Sequence, residues 1–509
     1  HNFCSTSLWD DRQAVLGTAM VETNAGSRDA VQASATNPTP EHAPISHSEK
    51  AGQDYPQPNL NPELFVVASR DPAIDAAGKK GGVDPGNEGT TPNRSDDQED
   101  DDDDDEEETY PEGGLRAWLV VLGSWMALVS SLGLMNTIGV LQSYVAQNQL
   151  SSYSEGTVGW IFSIYTFLSF GMGLYIGPIF DKYGPRWLIL LGTMLLATGT
   201  MILSICTEFW HFVVAFSLID GMGTAFMFTP AITAIGHWFR DRRGLATGIA
   251  STGGGVGGVV FPLMLSDLFE RVGWAWAVRV LGFVSIALAI AANFLIRSRL
   301  PPAKNASAHP DPRIFRNVAF SLTTAGIFLM EFALFIPLGY ISLYAKAQGF
   351  SAAFSFQILT VLNAASVLGR ALPGWWADII GPANANIIAI LQSLIACLAI
   401  WLPAGGTTAG IVVFAILFGF ASGTNISLTP LCIGRLCKTQ NYGRYYATAY
   451  TLVSFACLVG IPIGGNILAA CGGDYWGLIV FTGLLYLLSL VFFVSAKVYS
   501  VGWNPWVFF

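Results

Sequence analysis

Residues 177–186 read Gly-Pro-Ile-Phe-Asp-Lys-Tyr-Gly-Pro-Arg and stand between two long apolar segments. Glycine, aspartate, glycine and proline return with the same spacing in residues 374–382, Gly-Trp-Trp-Ala-Asp-Ile-Ile-Gly-Pro, about 200 positions later. The dipeptide Gly223-Thr224 likewise returns as Gly423-Thr424 at nearly this offset. Several matches at one offset predict an internal duplication, in which the two halves of the chain fold as the same kind of bundle.

Long uncharged segments surround these two stretches. The chain of 509 residues is 52% hydrophobic and 12% charged, whereas a soluble domain carries about 25% charged residues. A helix needs about 20 apolar residues to cross a bilayer. We therefore expect an all-α membrane protein with twelve transmembrane helices, at residues 115–142, 156–180, 187–206, 209–236, 243–266, 275–297, 317–342, 351–377, 384–403, 408–434, 443–470 and 475–497.

Charge divides the chain into an acidic tail and a weakly basic body. Residues 1–110 hold 24 of the 36 acidic and 7 of the 26 basic residues, a net charge of −17, and the remainder carries +7. Because such a segment cannot bury enough apolar area to offset its chain entropy, we expect a disordered tail, either simply solvated or binding an unknown partner. A secretory signal is not apparent at the start. Met20 is a candidate start, which would make residues 1–19 a fragment or an artefact of the gene prediction.

Lysine and arginine mark one side of the predicted membrane region. With the N-terminus inside, fifteen of them fall on the inner side and three, Arg271, Arg279 and Lys346, on the outer side. The positive-inside rule then predicts two cytosolic termini, in a multi-pass protein of the plasma membrane. The predicted order is the tail 1–110, a six-helix bundle 111–297, a cytosolic linker 298–315 and a second six-helix bundle with a short tail, 316–509.

The pattern of residues 177–186 resembles the signature loop between the second and third helices of the major facilitator superfamily. Within that superfamily the chain resembles the fungal-type branch of the monocarboxylate transporter family. Residues 112–118, Glu-Gly-Gly-Leu-Arg-Ala-Trp, and 237–250, His-Trp-Phe-Arg-Asp-Arg-Arg-Gly-Leu-Ala-Thr-Gly-Ile-Ala, carry this resemblance, which covers about 111–498. It implies the major facilitator fold and a secondary carrier that moves a small organic acid by alternating access, driven by a proton or solute gradient.

Three charged residues lie deep in the predicted spans, where each costs a few kcal/mol or more. Arg370 is the candidate for binding a carboxylate substrate, since a guanidinium holds a carboxylate through two hydrogen bonds; a snorkelling or gate arginine is the alternative. Glu331 suits a proton carrier, or a structural pair with a neighbour. Asp220 is a candidate proton acceptor, with a packing and hydrogen-bonding role as the alternative.

Two positions depart from the pattern of the animal lactate carriers, which have an aspartate one turn before the arginine and a lysine in the first span. Here Ser366 and Asn136 stand there. Asn136 can hydrogen-bond a solute but holds no charge. The departures favour other cargo, such as a vitamin or an exported secondary metabolite. A nutrient sensor that keeps the carrier fold and signals through its tail is a further alternative.

Charged residues at the inner ends of the spans are candidates for a gate. Opposite charges there can hold one state closed and separate in the other. The candidates are Asp181, Arg186, Asp378, Arg242 and Arg243, although inside-positive topology also accounts for the last two.

Other chemistry is sparse in the sequence. The cysteines and histidines show no zinc spacing, and we find neither a Walker-type loop nor a nucleophile-and-base set. We therefore expect no metal, no cofactor, no nucleic-acid partner and no enzymatic activity. The expected partners are a small-molecule substrate, protons and the lipid bilayer.

Overall fold

The computed structural model describes residues 110–300, 309–504 and 507. The predicted tail therefore lies outside the described residues except for Tyr110, as does the 301–308 part of the predicted linker. Within the described ranges, eleven helices are long and apolar enough to cross a membrane. They are α1 (Gly114–Gln147), α2 (Gly156–Tyr183), α3 (Arg186–Leu203), α4 (Phe209–Ile235), α5 (Arg243–Leu295), α6 (Val318–Ala347), α7 (Ala353–Ile380), α8 (Pro382–Ala404), α9 (Thr408–Gly434), α10 (Thr439–Ala470) and α11 (Trp476–Val501).

Helix α5 consists of two helices that meet at a kink, and it supplies two crossings. It is 53 residues long, and its backbone leaves helical geometry at Gly273, where φ is 73°. Glycine adopts this conformation without a steric penalty, so one residue redirects the chain. The predicted loop at 267–274 is thus mostly helical, and the exposed i,i+4 pair of Asp267 and Arg271, 2.8 Å apart, favours that helical turn. With this kink, the twelve predicted crossings are confirmed.

The repeated glycine–proline pairs form equivalent junctions. Helix α2 ends before Gly184 (φ 78°), and α7 ends before Gly381 (φ 91°). A glycine in the left-handed region ends a helix, and a proline suits the start of the next; Pro185 and Pro382 stand at the starts of α3 and α8. The repeat read from the sequence therefore corresponds to a repeated turn.

Two further helices depart from regular α geometry. Residues Val213–Asp220 of α4 and Ala396–Trp401 of α8 are π-helical. Such segments are rare in proteins overall, and those that occur are often found at functional sites. The segment in α4 ends at Asp220, one of the predicted site residues.

A glycine-rich stretch of α5 packs closely against both α1 and α7. Gly253 and Gly257 face the backbones of Trp125 and Gly133 in α1, while Gly255 faces Val367 in α7. Small residues allow this close approach of helix backbones in a membrane. We refer to α1–α5 as the N-terminal set and to α6–α11 as the C-terminal set.

The α2–α3, α4–α5 and α9–α10 junctions lie on the same side of the helices. Arg240, Arg242 and Arg243 belong to the α4–α5 junction, and Arg435 and Lys438 to the α9–α10 junction. We call this side the basic face.

Candidate functional site

A cavity of about 580 Å³, including space open at its mouth, lies between the two sets of helices. It is the candidate ligand site, because ligand pockets form preferentially between the helices of a bundle. Its lining combines a few polar groups with a larger apolar surface. The polar side chains are Asn136, Glu331, Asn363, Ser366, Arg370, Ser422 and Tyr450, and the apolar ones include Phe170, Phe228, Phe335 and several leucines.

Arg370 reaches the cavity from α7 and is 4% exposed. Its Nη1 donates to the carbonyl oxygen of Ser251 in α5 at 2.9 Å, and its Nε donates to Ser366 Oγ at 3.3 Å. The arginine therefore bonds to the facing set as well as to its own helix. Since a guanidinium has five N–H donors, these two bonds leave donors for an anion in the cavity.

Glu331, in α6, lines the same cavity and is 3% exposed. The side chain of Tyr450 from α10 and the positive charge of Arg370 both lie near its carboxylate. Among the described residues, the one ion pair within 4 Å is that of Asp267 and Arg271. Glu331 and Arg370 thus face one space without a direct ion pair, so a ligand or a proton can act on either group.

Two asparagines hold the cavity wall to the backbone of α5. Asn136 Nδ2 donates to the carbonyl of Gly254 at 2.9 Å, and Asn363 Nδ2 donates to the carbonyl of Gly258 at 3.3 Å. The sequence indicated Asn136 but missed Asn363. The signal for Asn363 was an amide inside an otherwise apolar span, where a polar group needs a partner.

Asp220 lies away from this cavity. It is fully buried within the N-terminal set, and its carboxylate lies against Gly199 of α3. The backbone of Thr200 is a nearby polar group, but neither carboxylate oxygen has a hydrogen bond of acceptable geometry in the described part of the chain. The structure therefore does not bring Asp220 together with Glu331 and Arg370.

Three aromatic rings from both helix sets pack together along the cavity. Phe170 of α2 and Phe228 of α4 have ring centroids 5.6 Å apart, and each lies within 6 Å of the Tyr450 ring of α10, at 5.4 and 5.9 Å. Rings at these separations attract each other in tilted or edge-to-face geometry. We call this cluster the aromatic floor. The sequence did not single out these rings, because aromatic residues are common packing residues in membrane helices.

At the basic face, each helix set caps a helix of the other. Asp181 of α2 accepts hydrogen bonds from the backbone N–H groups of Gly443 and Arg444 in α10, at 2.9 and 2.8 Å. Asp378 of α7 accepts from the N–H groups of Gly244 and Leu245 in α5, at 2.7 and 2.8 Å. The N-terminus of a helix carries free N–H donors and partial positive charge, which bind a carboxylate.

Glycines permit both capping contacts, that of Asp181 with α10 and that of Asp378 with α5. Gly177, one turn before Asp181, packs on Gly443, and Gly374, one turn before Asp378, packs on Gly244. A Cβ atom at Gly177 or Gly374 would overlap the facing backbone carbonyl oxygen. The two sets are therefore closed against each other at the basic face.

The contacts of the predicted gate residues differ from the expected pairing of opposite charges. Asp181 and Asp378 bind backbone N–H groups, which are fixed in direction and cost no side-chain entropy, whereas Arg186 and Arg242 are exposed. The guanidinium of Arg243 lies 4.0 Å from the ring centroid of Tyr442 in α10, so it crosses between the sets through a cation–π contact.

Comparison with known proteins gives a consistent picture. The sequence profile of the Major Facilitator Superfamily matches residues 123–461. The riboflavin transporter MCH5 of Saccharomyces cerevisiae is 33% identical over 425 residues, 79% of this chain and 81% of that protein. The fujikurins efflux protein of Gibberella fujikuroi is 36% identical over 390 residues, 76% of this chain and 83% of that protein.

Solved structures show the same fold. The crystal structure of the E. coli fucose:proton symporter FucP aligns with a TM-score of 0.60 at 17% identity, over 75% of this chain and 98% of that chain. The family profile covers more than half of this chain, and the cavity between the two helix sets is where such proteins bind their cargo. The protein is therefore a member of the Major Facilitator Superfamily, a multi-pass integral membrane transporter of small molecules and not an enzyme.

Proposed function

We propose that this transporter is a secondary active carrier of a small organic anion, a monocarboxylate or a related acid, and that it works by alternating access. The observation that carries the proposal is Arg370, a buried arginine with spare N–H donors in the central cavity, which has no direct ion pair with Glu331. A buried cation without a paired anion is costly. An anionic cargo supplies that partner.

Neighbouring polar groups fit the recognition of a carboxylate. Ser366 lies one turn from Arg370 and accepts its Nε hydrogen bond, which fixes the guanidinium plane. Asn136 lines the same cavity from the N-terminal set. A cargo that contacts both Arg370 and Asn136 therefore touches both helix sets, as a carrier requires if its cargo is to influence their relative position.

Glu331 supports a proton-coupled form of this mechanism. An ionised Glu331 offsets the charge of Arg370, and a bound anion would compete for the same positive charge. Repulsion between the anion and the Glu331 carboxylate then favours protonation of Glu331, so anion and proton bind together. A symport of the acid with a proton follows from this linkage.

The contacts at the basic face support one half of the alternating-access cycle. Asp181 and Asp378 bind across the two sets only while that face is closed. Opening the face must break these four hydrogen bonds. We propose that residues 111–297 and 316–509 move as the two units of this cycle, and that the basic face and both termini lie in the cytosol, at the plasma membrane.

A second candidate function is the transport of a vitamin or the export of a secondary metabolite. The aromatic floor favours it, because rings and leucines in the cavity lining match a cargo with aromatic or apolar parts. Relatives named as a riboflavin transporter and as an efflux protein point the same way. In this case Arg370 would bind an acidic or phenolic group on a larger molecule.

The test is uptake by the purified full chain in proteoliposomes. Labelled monocarboxylates, riboflavin and a mixed pool of fungal metabolites are offered with and without a proton gradient. We expect accumulation of an organic acid that depends on the gradient and is lost in Arg370→Ala. The matched control is Arg271→Ala, an exposed arginine outside the cavity.

Each outcome decides between the candidates. Gradient-dependent uptake of riboflavin or of a larger metabolite, in place of short acids, would select the second function. Equal uptake by Arg370→Ala and the unmodified chain would contradict the anion site. Binding of a solute without any transport would favour a sensor that keeps the carrier fold.

A further inference from the structure

The loop that leads into α5 is held by carboxylates along most of its length. Glu112 Oε1 accepts hydrogen bonds from the backbone N–H groups of Arg240 and Asp241, at 2.6 and 2.9 Å, and Glu112 Oε2 accepts from Arg242 N–H at 3.1 Å. Asp378 takes the next two donors, as described above. Five N–H groups within residues 240–245 thus bind two carboxylates.

Glu112 belongs to a short segment in front of α1, residues 110–113, which we call the N-terminal strap. Its backbone has φ 48° at Glu112, the one positive φ at a non-glycine position among the described residues. This conformation is unfavourable for a residue with a Cβ and persists where surrounding contacts impose it. Three hydrogen bonds to the loop are the contacts that impose it here.

The strap also reaches the opposite helix set. The Tyr110 hydroxyl is hydrogen-bonded to Thr439 Oγ1, at the start of α10, at 2.8 Å. The guanidinium groups of Arg240 and Arg299 lie 6.0 and 5.4 Å from the Tyr110 ring centroid, which is within the range of a cation–π contact. One segment of four residues therefore contacts the α4–α5 junction and the α9–α10 junction together.

Charge explains why the loop matters for the gate. Glu112 and Asp378 are close enough for the negative charge of Glu112 to act on Asp378, so the two carboxylates repel each other. The structure tolerates these two nearby carboxylates because the loop offers each of them its own set of N–H donors. If the loop relaxed, the donors of Gly244 and Leu245 would turn away from Asp378, and the gate contact would be lost with them.

We propose that Glu112 is a positioning residue for the gate at the basic face: it holds residues 240–242 in the shape that presents the N–H groups of Gly244 and Leu245 to Asp378. Tyr110 extends this hold to α10. The strap thereby favours the state in which the basic face is closed. The inference rests on the alternating access of the proposed function for its effect on transport, but the effect on the loop stands by itself.

The direct test is hydrogen–deuterium exchange on the purified full chain, resolved at residues 240–245. We expect Glu112→Gln to raise exchange by about tenfold at Gly244 and Leu245 as well as at 240–242. Asp378→Asn should raise exchange at Gly244 and Leu245, and the double variant should add little there, since both substitutions break one contact. Glu270→Gln, an exposed glutamate elsewhere in α5, is the matched control.

A second measurement tests the consequence for the gate. Ser422→Cys places a thiol in the cavity, in a background with the native cysteines replaced, and an impermeant thiol reagent is applied from each face. We expect Glu112→Gln to raise modification from the basic face by about tenfold relative to the opposite face. Glu112→Asp, which keeps the charge on a shorter side chain, should restore part of the closed state.

The outcomes separate the two proposals. Faster exchange confined to residues 240–242 would overturn the positioning role, and so would additive effects of Glu112→Gln and Asp378→Asn. Faster exchange at Gly244 and Leu245 with unchanged thiol modification would overturn the effect on the gate. If the cavity thiol reacts from one face under every gradient while Glu112 is intact, alternating access fails, and the exchange data still decide the role of Glu112.

Discussion

Replacing Asp181 by asparagine should open the basic face without altering the cavity. Asp181 is buried and accepts two hydrogen bonds, at 2.9 and 2.8 Å, from Gly443 and Arg444 of the opposite helix set. Asparagine keeps one acceptor oxygen, loses the charge and presents an NH₂ group to a second N–H donor. The substitution therefore removes one charge-assisted bond and weakens the other.

The size of the effect follows from the two bonds. A hydrogen bond to a charged group contributes about 1.5–3 kcal/mol, and the interaction of a carboxylate with a helix N-terminus adds about 0.3–1 kcal/mol. The total loss is roughly 2–4 kcal/mol, since part of one bond survives. Because the contact joins the two sets, nearly all of the lost free energy comes from the closed state. The ratio of open to closed molecules should therefore rise about 30- to 900-fold.

Thiol modification of Ser422→Cys from each face measures that ratio. Asp267→Asn is the control, because it removes the same charge from an exposed pair within a single helix, where such pairs contribute little. Asp378→Asn, which loses two bonds of similar length, should give a shift of similar size. The reasoning fails if Asp181→Asn behaves like Asp267→Asn, or if it increases protection from the basic face.

Three other predictions concern the contact between the sets, proton coupling and cargo size. Gly177→Ala should also favour the open basic face in the thiol assay, because its Cβ would overlap the carbonyl oxygen of Gly443. Gly139→Ala is the control and should leave thiol modification unchanged, because Gly139 has open space around it. Glu331→Gln should abolish the dependence of uptake on a proton gradient while leaving substrate exchange between equal pools; retained gradient dependence would exclude Glu331 as the coupling group. Phe228→Leu should lower the affinity for a ring-bearing acid such as benzoate about 2- to 13-fold, as ~0.5–1.5 kcal/mol for an aromatic contact implies. The affinity for acetate should stay unchanged in a competition assay, and an equal loss for both acids would assign Phe228 to packing alone.

Most of the fold could be predicted from short stretches of the sequence. Runs of apolar residues predicted the crossings, because a helix in a bilayer satisfies its own backbone and only its length and polarity are constrained. The join between the fifth and sixth spans was predicted at residues 267–274, and helical geometry breaks within it, at Gly273. Only the length of the join differs, because residues 267–272 remain helical.

The candidate site was predictable only in part. Arg370 and Glu331 stood out because charge is rare in apolar spans, and the structure places both in the cavity. Asp220 stood out for the same reason, yet it faces α3 inside the N-terminal set, since depth in a span does not reveal which face of the helix a residue occupies. Tyr450 and Phe170 carried no signal of their own.

The sequence by itself determined the membrane crossings, the internal duplication and the glycine–proline junctions, all of which depend on residues close together in the chain. Only the tertiary structure decided which groups meet. Asp181 and Gly443 are 262 positions apart, Glu112 and Arg240 are 128 apart, and no local pattern encodes such a pairing. The carboxylates of the predicted gate find helix N-termini instead of arginines, because packing of the two helix sets places fixed backbone donors directly against them.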